Sequence, residues 1–458
     1  MKTYAITTFG CQMNISDSER VSAICKSMGY SECPEGEKAD LYVINTCSVR
    51  QKAEDRVLGM GKKFFEFKKE RPSTRVVLTG CMAKRDIRQG FEKSEEYQKK
   101  YEGKLQKQMP WLDYVLEIND MHHLPAVLGE SVVDSVDDYF AVRPKYNSTF
   151  QAYVPISTGC NKFCTFCIVP FTRGKEIYRP YEQIIDEVSH LVKNGFKEVT
   201  LLGQNVNSWR KDNSLKTPIT PLRGSTESEN MDFAYLMEQL SVLDGDYWLR
   251  FTSSHPYDIN MRLIDVIAQK ETIAKQIHFA LQSGSDGVLK RMNRYYTREE
   301  FRDKVLKIKE KIPGVAITTD IIVGFSGETE DEFMDTVKLC EELRFDQIFI
   351  SEYSRREGTI AAKFYADDIP SSVKAERKII LDEVLKKGVE KNNAAYLGTT
   401  QKALIYKTKL KNRQGVFGRT THGKDILIKN AEPEHLQVGC FVEVTVTGSQ
   451  GFCLEGTL

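Results

Sequence analysis

The run CNKFCTFC at 160–167 constrains this chain more than any other feature. Its cysteines, Cys160, Cys164 and Cys167, stand at CxxxCxxC spacing. Three thiolates can hold three irons of a 4Fe–4S cluster, and thiolate is the soft ligand that iron–sulfur chemistry uses. The fourth iron then lacks a protein ligand and can bind a small molecule, by the logic that marks a catalytic metal site. Zinc or buried thiols are the plainer readings. Structural zinc, however, takes four protein ligands, and no further Cys or His lies close by in sequence.

Residues 151–158 (QAYVPIST) read as a strand, and a helix opens near Pro180. The cysteine run therefore lies beyond the carboxyl end of a strand, where barrel enzymes carry their chemistry. CxxxCxxC after a first strand resembles the radical S-adenosylmethionine (SAM) superfamily. That resemblance implies SAM bound through its methionine end at the open iron, and a 5′-deoxyadenosyl radical on reduction.

A second cysteine pattern precedes the first. Short apolar strands are expected at 4–8, 41–45, 76–79 and 114–118, alternating with helical stretches, as in βαβ units on a parallel sheet. The first three of these strands run straight into Cys11, Cys47 and Cys81. Loops at the carboxyl ends of parallel strands converge on one edge, so these three thiols can meet and suggest a second cluster with an open iron. Three buried core cysteines are the alternative. Cys25, Cys33, Cys340, Cys440 and Cys453 follow no such pattern and read as packing or surface thiols.

From 151 strands are expected at 151–158, 197–202, 248–254, 277–282, 316–323 and 346–353, with helices between them over 182–193, 233–243, 298–311 and 330–343. Six βα units fit a partial barrel, open on one side for a large substrate. The 211–230 insert reads as a surface loop, and 372–393 as a helix. Residues 398–458 alternate short β-like runs with Gly and Asn turns, which suggests a small antiparallel barrel. Between Lys402 and Lys429 lie eight Lys or Arg and one acid, Asp425, interleaved with Phe417 and His422. Cations and stacking groups suit RNA; a solvated face is the alternative. The fold class is α/β. The expected domains are 1–130, a parallel α/β domain; 131–150, a linker; 151–395, a partial (β/α)6 barrel; and 396–458, the small β-barrel.

A chain of 458 residues has room for such a division. It has no run of about 18 apolar residues to span a membrane. The start, MKTYAITTFGCQMN, lacks the basic and apolar regions of a signal peptide. Eleven cysteines then argue for a reducing compartment and for metal or redox chemistry, and a cytoplasmic location is expected. A net charge of +1 puts any RNA site in a local basic patch.

Together the motifs resemble the methylthiotransferases over essentially the whole chain, with a C-terminal TRAM domain. The MiaB type is the branch most similar. The resemblance rests on TFGCQMN (8–14), GCNKFCTFCIVPFTRGKEIYRP (159–180), LGQNVN (202–207), SHP (254–256), QSGS (282–285), DIIVGFSGE (320–328) and YSRREGT (353–359). Ser326 and Ala280 stand where proline is common in the family, and the 211–230 insert is long.

The resemblance implies conversion of N6-isopentenyladenosine, 3′ of the tRNA anticodon, to its 2-methylthio derivative. Two SAM are used per turnover, with sulfur drawn from an auxiliary cluster. It implies two 4Fe–4S clusters, held by Cys160, Cys164 and Cys167 and by Cys11, Cys47 and Cys81. SAM contacts are expected from Phe166, Gly203, Gln204, Asn205, Gln282, Ser283, Ser285, Gly324 and Gly327; tight turns are the other reading for the glycines. Arg173 and Arg179 could meet RNA phosphate or a cofactor carboxylate, or form salt bridges. His255 ends the third barrel strand at the active face or makes a structural hydrogen bond. RNA contacts are expected from Lys407, Lys409, Lys411, Arg413, Phe417 and Arg419. Expected partners are the tRNA anticodon stem-loop, an electron donor such as flavodoxin or ferredoxin, and a sulfur or cluster supply system, with the enzyme a monomer. Threonylcarbamoylated tRNA, a ribosomal protein, or a non-catalytic role in redox-sensitive RNA binding are the competing readings.

Overall fold

A computed structural model describes residues 2–49, 51–83, 104–131, 138–211, 231–408, 415–429, 431 and 436–458. The chain divides into two compact units. One is Met1–Asn147 with Thr158–Asn161 and Cys167–Arg179; the other is Ser148–Ser157 with Lys162–Phe166 and Pro180–Leu458.

The first unit is built on five parallel strands: β1 (Thr3–Phe9), β2 (Ser31–Glu32), β3 (Leu41–Thr46), β4 (Arg75–Gly80) and β5 (Tyr114–Val115), in the order β2-β1-β3-β4-β5. β3 is buried at every position, as a central strand covered on both faces must be. Its side chains alternate between two apolar layers. Val43 joins Val77, Val21, Leu116 and Met121; Tyr42 and Ile44 join Val76, Leu78, Phe64 and Trp111. The strand expected over 114–118 stops at Val115, and a 3-10 helix, Ile118–His123, buries Ile118 and Met121 in the first layer instead. β2 was not foreseen, because two residues carry no periodicity.

The second unit holds six parallel strands in two triplets. Trp248–Phe251, Glu198–Leu202 and Gln151–Pro155 form one; Gln276–His278, Ala316–Val323 and Gln347–Glu352 form the other. Parallel bridges Leu249↔Ile273 and Ser254↔Phe279 join the triplets into one open array. The helices Arg298–Lys311 and Glu330–Leu343 fall on the expected residues. Each opens on a capping box, Thr297 with Glu300 and Thr329 with Glu332, so the sequence marks their starts directly. Helix Met261–Gln269, capped by Asn260, was missed.

The last five strands, Thr400–Lys407, Val416–Thr420, Asp425–Ile428, Phe441–Gln450 and Cys453–Thr457, close into a barrel around Ala403, Ile405, Val416, Ile426, Val444 and Leu454. It is not purely antiparallel: Asp425–Ile428 pairs in parallel with Cys453–Thr457. Its turn at 421–424 docks on the amino-terminal side of the six-stranded array. Lys275 N–H donates to the Thr421 carbonyl, Arg250 donates to the carbonyls of Thr420 and Thr421, and Lys424 pairs with Asp346 at 2.7 Å. Trp248 and Phe441 add a ring contact at 4.6 Å.

Candidate iron–sulfur and SAM site

Parallel register sets the first cysteine trio. Phe9 stands opposite Thr46, and Thr46 opposite Gly80, so three strand ends finish level and Cys11, Cys47 and Cys81 follow them. The backbone there is too close for side chains. A Cβ on Gly10 would lie 2.2 Å from Asn14 Oδ1 and 2.9 Å from Cys47 Cβ, and one on Gly80 would lie 2.4 Å from Asn45 Oδ1. Both glycines also hold positive φ, +152° and +88°.

A buried asparagine pair fixes the arrangement. Asn14 Nδ2 donates to Asn45 Oδ1 at 2.9 Å, and Asn45 Nδ2 donates back to the Asn14 carbonyl at 2.8 Å. Cys11 N–H donates to Asn14 Oδ1 within the first turn of helix Gln12–Ser27, so the asparagine pair ties that start to the end of β3. Cys11 is the N-cap residue of that helix.

The thiols of Cys47 and Cys81 are close enough to couple. The coupling lowers the Cys81 pKa, aided by the Arg173 guanidinium against the opposing effect of burial, and together with burial it raises that of Cys47. Cys11 is near enough to add repulsion at Cys47. Among the described residues no three Cys, His, Asp or Glu side chains converge on a single-ion site. A cubic cluster takes its thiolates at separate corners, and the three strand-end thiols, with one already biased to thiolate, fit that donor set.

Cys160 and Cys167 belong to the first unit and Cys164 to the second. Cys160 N–H donates to the Gly174 carbonyl at 3.2 Å. Cys164 is buried, and Arg294 Nη1 donates to its sulfur at 3.3 Å. Arg294 is itself held by Tyr296 and the Ala280 carbonyl. Around Cys164 the loop is pinned from one side. Thr165 N–H and Oγ1 donate to the carbonyls of Met292 and Arg291, Asn293 donates to the Phe163 carbonyl, and Phe163 holds φ of 49°. Such backbone strain in a non-glycine residue collects at functional sites.

The ends of the six parallel strands carry the expected SAM residues, many of them already engaged. Asn205 is buried; its Nδ2 donates to Asp258 at 2.6 Å and its Oδ1 accepts from His255 N–H. Lys162 Nζ completes that group at 2.7 Å from Asp258. Ser285 caps helix Asp286–Arg291, Ser283 bonds Thr336, and Gln282 holds φ of 73°. Phe166 packs its ring beside Phe325. Gly203 has no room for a Cβ, which would lie 2.4 Å from Ser157 Oγ. Gln204 is half-buried beyond the same strand. Gly324 N–H donates to Glu328 and Gly327 N–H to Asp368.

Among the described residues, Ser157 Oγ, Ser254 Oγ and His255 Nε2 are three of the buried polar atoms in this unit that lack a hydrogen-bond partner. These three lie at or just past strand ends. His255 Nδ1 accepts from Tyr257 N–H, so Nε2 bears the proton, and burial holds the ring well below its usual pKa. Orphaned buried polar atoms want a ligand, and a cofactor rich in oxygen and nitrogen fits them.

Two expectations need correction. Arg173 and Arg179 are buried and do not face phosphate. Arg173 pairs with Asp17 at 2.7 Å and donates to Cys81, while Arg179 donates to the Phe140 carbonyl. In the C-terminal patch, Lys424 and His422 are turned into the docking contact, Lys402 pairs with Asp246 and Lys429 with Glu455. Lys407 is exposed, Phe417 stacks on Tyr406 at 6.2 Å, and Arg419 lies over the Tyr406 ring while paired to Asp425. Lys409, Lys411, Arg413 and most of the 211–230 insert lie outside the described residues. Sequence reading missed Asn14, Asn45, Asp17, Asp258, Arg294 and Tyr406. Asn14 stood in TFGCQMN, and Asn45 and Tyr406 within expected strands, but all six meet their partners through the fold.

The radical SAM superfamily model matches residues 154–340, and the model of an uncharacterized protein family, UPF0004, matches 3–100. A tRNA-2-methylthio-N(6)-dimethylallyladenosine synthase from Clostridium botulinum (strain Okra / Type B1) is 38% identical over 465 residues, covering 99% of this chain and 96% of that protein. This chain belongs to that synthase family. A synthase of the same name from Treponema denticola is 36% identical across 100% of both chains. Among solved structures, a radical S-adenosylmethionine methyltransferase, TsrM, from Kitasatospora setae, with cobalamin and a [4Fe-4S] cluster bound, superposes with a TM-score of 0.54 at 11% identity. The match covers 79% of this chain and 77% of that one and reflects the fold alone. Membership of the family makes this protein a radical SAM transferase.

Proposed function

We propose that this protein converts N6-isopentenyladenosine, 3′ of the tRNA anticodon, to its 2-methylthio derivative, with two SAM per turnover. Near-full-length similarity to synthases named for that reaction carries the reading, and the two cysteine trios offer the thiolate donors that two iron–sulfur clusters use. When bound, the clusters and SAM supply the radical that breaks the strong aromatic C–H bond and the sulfur that replaces it.

The chain's own residues hold and orient these groups. Cys160, Cys164 and Cys167 would hold one cluster, with Arg294 on the Cys164 sulfur; Cys11, Cys47 and Cys81 would hold the other, with Arg173 on the Cys81 sulfur. The Lys162–Asp258–Asn205 group fixes the loop against the ends of the second and third barrel strands. Ser157, Ser254 and His255 offer SAM polar atoms that otherwise lack partners. The target base leaves its stack to enter, as for other enzymes that act on bases. Lys407 and the Tyr406–Phe417–Arg419 group on the C-terminal barrel suit RNA backbone and an unstacked base. Flavodoxin or ferredoxin as electron donor, a sulfur supply system, a cytoplasmic location and a monomeric state complete the reading.

The test is anaerobic. Reduced, reconstituted protein is mixed with SAM and an anticodon stem-loop bearing isopentenyladenosine, and nucleosides are read by mass spectrometry. Gain of one methylthio group is expected. Release of 5′-deoxyadenosine with unchanged RNA would move the substrate to threonylcarbamoylated tRNA or a protein. No 5′-deoxyadenosine at all would leave an iron–sulfur RNA-binding protein.

A further inference from the structure

Arg173 occupies a position that the proposed chemistry does not by itself require. It lies six residues past Cys167 in sequence, yet its side chain is spent wholly inside the first unit. Nη2 donates to Asp17 Oδ2 at 2.7 Å and Nε donates to the Cys81 sulfur at 3.3 Å. Asp17 is held in turn by Tyr139, whose hydroxyl donates to Oδ1 at 2.9 Å. Arg173, Asp17, Tyr139 and Cys81 are all buried. A guanidinium is planar, so a carboxylate bound at Nη2 fixes the direction of the Nε–H. Tyr139 and Asp17 therefore aim Arg173 at sulfur.

We propose that Arg173, oriented by Asp17 and Tyr139, is a positioning residue that donates a charge-assisted hydrogen bond to the Cys81 ligand of the auxiliary cluster and sets that cluster's reduction potential. This rests on the reading that Cys11, Cys47 and Cys81 hold a cluster. The physical argument concerns charge. Reduction adds an electron to a group already negative through its thiolates and sulfides. A buried cation donating to a ligand sulfur favours the reduced form and raises the potential; hydrogen bonds to the sulfurs and local charge are the protein's means of tuning such clusters. Burial strengthens the effect, because little water screens it. The plain alternative is a buried ion pair that merely ties the 167–179 segment to helix Gln12–Ser27. That would explain Asp17 but not the N–H on sulfur.

The test uses the full-length chain carrying Cys160→Ala, Cys164→Ala and Cys167→Ala, so that only the auxiliary cluster is present. Iron and sulfide content is measured first. Absence of a cluster in this parent would sink the auxiliary-cluster reading, and the inference with it. With the cluster present, Arg173→Lys is compared by redox titration followed by electron paramagnetic resonance. Lysine keeps the charge for Asp17 and loses the planar fork aimed at Cys81. The expected result is unchanged iron content, an unchanged melting temperature and a potential shifted to more negative values. Tyr139→Phe, which loosens the aim of Arg173 without touching it, should shift the potential the same way by less. An unshifted potential in Arg173→Lys with the cluster intact overturns the inference and leaves Arg173 a structural ion pair. Arg173→Lys in the complementary chain, Cys11→Ala, Cys47→Ala and Cys81→Ala, should leave the other cluster's potential where it was; an equal shift there would also overturn it, because the effect would then be general disturbance of the loop.

Discussion

Glu328 and Arg377 test whether a buried pair beyond the fifth barrel strand is held by charge. Their side chains meet at 2.8 Å, both buried, and Glu328 also accepts from Gly324 N–H. Burial raises the Glu328 pKa, while Gly324 and Arg377 act against the rise. Replacing Arg377 by Met leaves burial opposed only by the backbone bond, and breaking such a pair costs about 3–5 kcal/mol. A carboxyl whose folded pKa lies above its unfolded value loses stability as pH rises through the folded pKa. Arg377→Met should therefore melt well below the parent near neutral pH, with the gap narrowing as the pH falls and Glu328 takes its proton. A gap independent of pH would mean that the loss is packing alone. The glycine before Cys81 gives a second residue-scale prediction. Gly80→Ala drives a methyl into Asn45 and the Thr46 carbonyl, so the first trio should fail to hold its iron while the chain keeps the iron of the other cysteine loop. Iron analysis showing no loss would contradict the close approach. The level placement of Cys11, Cys47 and Cys81 was legible because each follows a recognisable strand. Arg173 was not, because nothing in GCNKFCTFCIVPFTRGKEIYRP says that its arginine turns inward to a carboxylate far earlier in the chain.

At the scale of elements, the C-terminal barrel is the clearest case of a pattern legible in outline but not in the direction of every cation. Turn residues and β-like runs gave its strands. They did not show that the turn at 421–424 carries its cation inward, since a lysine bound for a buried aspartate looks in sequence like one bound for phosphate. Lys424 meets Asp346 beneath the strand Gln347–Glu352, and Asp346 also accepts from Ile317 N–H. Lys424→Met should thus destabilise the protein by about 3 kcal/mol, as breaking a buried pair does. It should leave the salt dependence of tRNA binding unchanged. Lys407→Ala should do the reverse: stability holds, and the slope of log affinity against log salt falls by about 1, because one phosphate is no longer neutralised by a lysine. Filter binding across a salt series, with a thermal melt of each variant, separates the two. A slope change in Lys424→Met would return that residue to the RNA face. Helix limits teach the same lesson. Those opening on Thr297 and Thr329 were placed to the residue, because their caps are written in the sequence. The strand after Tyr114 ran short because its apolar residues serve a helix–sheet layer rather than a longer edge strand.

For the whole molecule, two cysteine trios imply two separable functions, and their separation is a measurement. The first trio rests on a sheet closed by its own two apolar layers, and its cysteines sit past strand ends rather than within either layer. Removing those thiols should leave the sheet folded. Cys11→Ala, Cys47→Ala and Cys81→Ala together should cost about half the iron, as expected when one of two clusters is lost. The variant should still release 5′-deoxyadenosine from SAM, because Cys160, Cys164 and Cys167 and the Arg294 donor to Cys164 are untouched. It should form no methylthio product, having lost its sulfur source. The complementary variant, Cys160→Ala, Cys164→Ala and Cys167→Ala, should keep the other half of the iron and release no 5′-deoxyadenosine. Iron content, nucleoside analysis and a circular dichroism spectrum of each variant decide the matter. Unchanged iron in the first variant would make Cys11, Cys47 and Cys81 core thiols. Loss of all iron from either variant with its secondary structure intact would mean that neither trio holds a cluster without the other, and the two functions would not be separable.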